Sequence, residues 1–354
     1  MTMEDKIRIL RERMESQPPI EGEEGFATSD ETIIRYLKSR DWNLAEAEKT
    51  LLGTLEYRRK VRPREIDCKY CHDRHGYHSM RQVGFDESKR PVIYANFAQA
   101  SIHRNTVEDS VTHVTYLFEN AKFTMAPGVT TWVIVIDCTG INLPSCNPKL
   151  GYEVTQVMAN HYPERLGMVI CLNHNPMFQA VWNAVKVFLH KNTVAKMKLV
   201  RTKTKYIPLF QKYFPDELTD WLIEEIKRNK QTPLPASQCA FWEKPEIESD
   251  HDPRGCPSYV KNFVETYARS DSKNVHKPHP NIINALKGSI KTNTHVSEVI
   301  HKESKSHVKE VGGANGAENS DHSEEEPEID SSDSVEIGKE YQIPTDAKRI
   351  SAAS

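Results

Sequence analysis

The sequence predicts an α/β protein in three parts: a small N-terminal helical lobe, a mostly parallel mixed sheet covered by helices, and a C-terminal tail with no core of its own. Three observations predict it. Between residues 77 and 235, short β-branched runs alternate with longer amphipathic stretches, the rhythm of βαβ units. Two helix-start patterns precede the first strand-like run. Past Trp242 the apolar residues thin out, and Ser, Asn, His, Glu, Lys and Pro replace them.

The elements follow in order. Residues 1–27 read as a short helix over 4–16 and a flexible lead-in with Pro18, Pro19 and Gly22. Thr28 with Glu31 three residues on fits a capping box, in which each side chain satisfies an orphan N–H of the other. Ile33, Ile34 and Leu37 give that helix its apolar face. Asn43 with Glu46 starts a second helix, faced by Leu44, Ala47, Leu51 and Leu55 and stopped near Arg62-Pro63. Residues 28–63 are therefore expected as the helical lobe and 64–243 as the main domain. Strands are predicted over 91–97, 131–138, 168–172 and 197–200. The run 131–138 is β-branched enough to be buried on both faces. Helices are predicted over 107–123, 148–161, 176–190, 206–213 and 216–230.

Residues 244–354 read as an acidic, Ser-rich, disordered tail. Its segment 318–336 cannot bury enough apolar area to offset chain entropy. One amphipathic piece, 259–268, has the pattern of a helix. Ser323 precedes Glu324, Glu325 and Glu326, a pattern open to phosphorylation, but a solubilising tail is the favoured reading. The tail also offers a place for protein partners.

Charge divides the chain. Residues 1–243 hold 33 Lys and Arg against 30 Asp and Glu, whereas residues 244–354 hold 14 against 20. No nucleic-acid partner is expected. The longest apolar runs, such as 132–136, fall far short of the ~18 residues a membrane span needs. The first residues lack a secretory h-region. Seven Cys, an odd number, fit thiols in a reducing compartment. A cytoplasmic monomer is the expectation.

Residues 161–200 carry the most information. His161-Tyr162-Pro163-Glu164-Arg165-Leu166-Gly167 leads into a buried-strand run. A helix pattern follows in which Phe178, Val181, Trp182, Val185, Phe188 and Leu189 fall at 3- and 4-residue spacing. Met177, Ala180, Ala184 and Val187 widen the stripe past the usual face. The plain reading is a buried crossover helix, and on pattern alone it ranks first. The flanks shift the balance. Glu164, Arg165, Thr193, Lys196 and Lys198 cluster at both ends, and charges beside core strands are costly without a partner or ligand. An apolar lid with a charged rim suits an amphiphile.

The run YPERLG, Asn173 at the next strand's end, the apolar helix and Thr193-Val194-Ala195-Lys196 together resemble the CRAL-TRIO lipid-binding domain family, closest to its phosphatidylinositol/phosphatidylcholine transfer proteins. Upstream, residues 34–42 (IRYLKSRDW) resemble that family's N-terminal lobe. Gly84-Phe85-Asp86 with Arg90-Pro91-Val92, and residues 132–139, are similar to its strands. The likeness spans about 28–235. It departs after Lys198, where 202–213 and 216–230 are unlike the pattern and the Gly-Gly near the domain end is missing.

The resemblance implies a CRAL-TRIO fold whose cavity takes a phospholipid, phosphatidylinositol first, for exchange or presentation between membranes. It implies a headgroup site of Arg40, Glu164, Thr193 and Lys196. Arg and Lys would neutralise phosphate, while Thr and Glu would bond to inositol hydroxyls. Singly, each has a plainer reading: Arg40 as a solvated helix end, and Glu164 as the partner of Arg165 or Lys196. Phe178, Val181, Trp182, Val185 and Phe188 would line the lid and acyl pocket. Phe178, Trp182 and Phe188 would meet the bilayer when the lid opens, in transient peripheral contact. Two alternatives stay open: the same fold with another hydrophobic cargo (retinoid, tocopherol, sterol), or a scaffold that does not transfer.

Other constellations weigh less. Cys68-x-x-Cys71-His72, with His75 and His78 nearby, has zinc-compatible spacing, but no second knuckle is visible and thiols in a loop are favoured. Asp137-Cys138 ends a strand without a triad or a Gly-rich phosphate loop. No enzyme activity, cofactor or bound metal is expected.

Overall fold

The computed structural model describes residues 1–66, 68, 76–99, 106–142, 145, 148–245 and 251–266. The lobe opens with α1, Met3–Glu15, capped by a reciprocal box between Thr2 and Asp5. Next comes α2, Asp30–Ser39. Its cap is Ser29, whose hydroxyl accepts from the Thr32 N–H, so the predicted Thr28–Glu31 box does not form. The helix starts one residue later than expected, and Glu31 instead bonds Arg165 at 2.6 Å. The third helix, α3, Leu44–Val61, starts at the predicted Asn43, whose side chain accepts from the Ala45 and Glu46 N–H groups. Leu10, Met14, Ile33, Tyr36, Leu37, Ala47, Leu51 and Leu55 form the lobe's core.

Five strands make one mixed sheet in the order β1-β2-β3-β4-β5. They are β1, Arg81–Phe85; β2, Pro91–Asn96; β3, Trp132–Asp137; β4, Leu166–Leu172; and β5, Met197–Val200. The β1–β2 pair is antiparallel. The other three pairs are parallel, so each needs a crossover. These run through α4, Val107–Phe123; α5, Pro148–His161; and α6, Pro176–Val185. Strand β1 was not predicted. It is short, irregular between Gln82 and Gly84, and half polar, so its alternation is weak.

The strands alternate between two cores, as a sheet covered on both faces requires. On one face Val83, Val92, Tyr94, Val133, Val135, Met168, Ile170 and Leu172 meet two C-terminal helices. These are α8, Lys203–Tyr213, and α9, Asp216–Asn229. On the other face Ile93, Ile134, Trp132, Val169 and Cys171 meet Tyr116, Leu117, Phe118 and Ala121 of α4. Fully burying such a side chain contributes about 1.5–3 kcal/mol.

The expected tail boundary is not where packing stops. Cys256, Tyr259, Val260 and Val264 join the first core. His251 Nε2 sits 2.5 Å from Glu225 Oε2, and Arg81 Nη2 donates to Glu225 at 2.8 Å and to the Pro253 carbonyl at 2.7 Å. Burial raises the Glu225 carboxyl, but the His251 bond and the Arg81 and His251 charges hold it below its ordinary range. The helix predicted over 259–268 runs as Pro257–Tyr259 and continues as a π-type turn, Val260–Val264.

The predicted lid helix is two pieces. The α-helix ends at Val185, a 3-10 turn covers Lys186–Phe188, and the chain extends at Leu189 (ψ 144°). A short helix then follows: α7, Lys191–Ala195, capped by His190, whose ring accepts from the Asn192 N–H. No described helix is long and apolar enough to cross a membrane.

Candidate functional site

The motif around Glu164 is built like a clamp between lobe and sheet. Arg35 Nη1 donates to the Pro163 carbonyl at 3.3 Å. The Tyr162 hydroxyl donates to Glu119 at 2.7 Å. Arg165 bonds Glu31 of the lobe and the Thr130 carbonyl. Gly167 has no room for a side chain: a Cβ there would lie 2.8 Å from Arg90 Nη1 and 3.0 Å from the Trp132 carbonyl oxygen. Arg165 is thus a structural anchor rather than a partner for Glu164.

Glu164 itself has φ 56°, a left-handed conformation that costs a non-Gly residue roughly 1–2 kcal/mol. Its half-exposed carboxylate lies 3.6 Å from Lys196 Nζ. Lys196 is the C-cap of α7, and its N–H donates to the Thr193 carbonyl at 3.1 Å. One helical turn therefore carries both Thr193 and Lys196, at the entrance to β5. Of the four predicted residues, Glu164, Thr193 and Lys196 gather in this way.

Arg40 is held separately. Its Nε donates to Thr50 at 2.9 Å, and its Nη2 donates to the Asn160 side chain at 3.3 Å. None of its partners among the described residues is a carboxylate, so the guanidinium keeps its charge unneutralised. Asn160 is four residues before Glu164. The next residue, Asp41, lies 3.6 Å from His190, the cap of the helix that bears Thr193. Two links thus tie the Arg40 corner to the same end of the sheet, and neither was legible from sequence spacing.

The lid residues divide. Val185 is buried. Phe178 packs on the second core from its rim, and Val181 and Trp182 are half-buried. Past the break, Val187 is 71% and Phe188 57% exposed, and Tyr152, also exposed, stacks edge-on to Phe188 at 5.4 Å. Opposite elements share this incomplete burial. Helices α5 and α7 bury none of their residues, and every residue of β5 is half-exposed. Val157, Met158, Phe178, Met197 and Leu199 surround the β4–β5 side of the second core, each only partly buried.

The strand-end Asp137 is a structural knot. Asn96 Nδ2 and Asn173 Nδ2 each donate to it at 2.8 Å, and the Thr139 hydroxyl does the same. Burial raises its carboxyl above the ordinary range. Of the sequence's Cys68, Cys71 and His72 pattern, Cys71 and His72 lie outside the described residues. Cys68 is buried beside His78 and His113 instead.

Two domain models match the chain. The CRAL/TRIO domain model matches residues 77–220 and the CRAL/TRIO N-terminal domain model residues 6–53, together more than half of the chain. A CRAL-TRIO domain-containing protein of Schizosaccharomyces pombe is 28% identical over 201 residues, 53% of this chain and 44% of that protein. Phosphatidylinositol transfer protein PDR17 of Saccharomyces cerevisiae is 28% identical over 196 residues, 50% of this chain and 54% of its own length. SEC14 cytosolic factor of Yarrowia lipolytica is 23% identical over 207 residues, 50% and 40% of the two chains. The chain thus spans about half the length of these curated relatives. The crystal structure of Sfh5 aligns with TM-score 0.49 and 16% identity over 59% of this chain and 84% of that one. On the match of both domain models, in their order, across the helical lobe and the sheet, the chain belongs to the CRAL-TRIO family.

Proposed function

We propose that the chain binds a phospholipid, phosphatidylinositol first, in an apolar hollow under α6 and exchanges or presents it between membranes. The observation that carries this reading is the half-exposed apolar lining shared by α5, α6 and β5. A protein core is close-packed, and Val157, Met158, Phe178, Met197 and Leu199, which pack against the second core yet stay only partly buried, suit contact with an acyl guest. Each CH₂ moved from water into such a hollow contributes about 0.8 kcal/mol, so a lipid leaves a bilayer only for equal shelter. The name of one relative, a phosphatidylinositol transfer protein, supports the class of cargo.

In this reading Arg40, Thr193 and Lys196 receive the phosphate and Glu164 accepts from inositol hydroxyls. The unneutralised Arg40 and the loose 3.6 Å Glu164–Lys196 pair are both available to a ligand. Val187 and Phe188, exposed on the 3-10 turn beside Lys186 and Lys191, are the surface that meets the membrane, apolar groups inward and ammoniums toward lipid headgroups. The function is binding and transfer, with no bond made or broken. Transfer of labelled phosphatidylinositol between donor and acceptor vesicles tests it. The expected result is protein-dependent transfer that Lys196→Ala abolishes, and absence of transfer by the intact chain would refute it.

A further inference from the structure

Away from the lipid site, three soft donors meet where the chain enters the sheet. Cys68, His78 and His113 are 2%, 6% and 2% exposed, and their donor atoms all lie within 4.8 Å of one another. Cys68 Sγ is 3.6 Å from His78 Nδ1. The His78 and His113 rings stack with centroids 4.0 Å apart. His113 comes from the middle of α4, and His78 from the approach to β1. Sequence spacing places His78 near Cys68 but could not add His113.

The geometry points to a zinc-class divalent cation held by Cys68, His78 and His113. Zinc binds thiolate at about 2.3 Å and imidazole at about 2.1 Å; two such legs at a tetrahedral angle span about 3.6 Å, the separation found between Cys68 and His78. The stacked His78 and His113 rings lie nearly parallel, so one imidazole must turn for both to meet the ion, and water would take the fourth tetrahedral position. The outer contacts fit as well. His113 Nε2 lies 3.2 Å from the Met80 carbonyl, and the tautomer with its N–H on Nε2 would turn Nδ1 to the ion. A ring nitrogen donating to a backbone carbonyl is the usual orienting contact of a metal-bound histidine. Two imidazoles and a thiolate form a borderline-soft set that suits zinc over magnesium or calcium. Binding would release the Cys68 proton. The cation would join α4 to the segment feeding β1, an edge strand with one hydrogen-bonded neighbour. Its task would be structural, and it stands independently of the lipid reading.

The test uses the full chain. After dialysis it should retain about one zinc per chain by elemental analysis, and a chelator strong enough to remove it should lower the thermal midpoint. Cobalt(II) loaded in its place should show a thiolate-to-cobalt charge-transfer band and d–d bands of tetrahedral intensity. Cys68→Ser should lose the charge-transfer band, and His113→Gln should lose stoichiometric retention. Cobalt without a thiolate band in the unmodified chain, a reading that needs no variant to fold, overturns the proposal. A band that persists in Cys68→Ser also overturns it, because another thiol would then hold the ion.

Discussion

Lys196 Nζ lies 3.6 Å from the Glu164 carboxylate, with 27% of the lysine side chain and 37% of the glutamate side chain open to solvent. A pair so exposed and so long stabilises the fold by at most about 1 kcal/mol. Glu164 makes it from a left-handed backbone. Lys196→Ala should therefore shift the unfolding free energy by less than about 1 kcal/mol while abolishing phosphatidylinositol transfer. Chemical denaturation alongside the vesicle assay checks both halves.

Glu164→Gly separates backbone from side chain at one position. Glycine adopts the φ of 56° without the roughly 1–2 kcal/mol penalty of an L side chain. It pays part of that back through its freer unfolded chain. Stability should stay within about 1 kcal/mol of the parent, and headgroup binding should fall. A variant that binds as tightly as the parent would remove Glu164 from the site.

Burial and charge set an acid limit. Burial raises the Glu119 carboxyl, but Lys122 and Arg58 outweigh it and leave it lowered to about 2. A depressed carboxyl contributes stability above its unfolded value, ordinarily 4.5, and that contribution is lost as pH falls toward 2. The amount is about 3 kcal/mol. His161 adds an earlier slope. Burial, with Arg58 nearby, lowers it from 6.5 to about 4, so the unfolded chain takes up the proton first and stability declines as pH falls from 6.5 to 4. Urea titrations across pH should show both windows. His161→Gln should flatten the upper one, and Glu119→Gln should cost about 1–3 kcal/mol at neutral pH, since buried Arg58 keeps its pair with Glu23 while Lys122 loses its carboxylate.

The broken lid predicts a division of labour. Val185 is buried, whereas Val187 and Phe188 are exposed. Val185→Ala should destabilise by about 1–2 kcal/mol. Val187→Ala with Phe188→Ala should leave the thermal midpoint nearly unchanged and weaken sedimentation with anionic vesicles. Equal vesicle binding by the double variant would place the membrane contact elsewhere.

Much of the fold was legible because its signals are local. Helices Val107–Phe123 and Pro148–His161 have the predicted bounds, and the first is capped by a box between Thr106 and Asp109. What escaped depends on distant partners. Arg81 is polar by sequence, yet it is buried in β1 by an ion pair with Glu225, 144 residues away. Tyr259, Val260 and Val264 fall in the amphipathic piece 259–268, but its partner, the first core, lies far away in sequence. The helical period over 176–190 continues unbroken in sequence, whereas the chain turns at Leu189 to place His190 as a cap. The Glu164–Lys196 neighbourhood was readable through family resemblance. The Arg40–Asn160 bond and the place of His113 beside Cys68 and His78 were not, since no spacing rule connects their elements.

The proposed function requires a lipid bound under α6. Native mass spectrometry of the purified full chain, followed by identification of the released ligand, tests it most directly. The expected spectrum shows one phospholipid per chain, phosphatidylinositol among the species, with that species lost in Lys196→Ala and Glu164→Ala. A chain that carries no lipid, or one that carries only a neutral hydrophobic molecule indifferent to both substitutions, would contradict it.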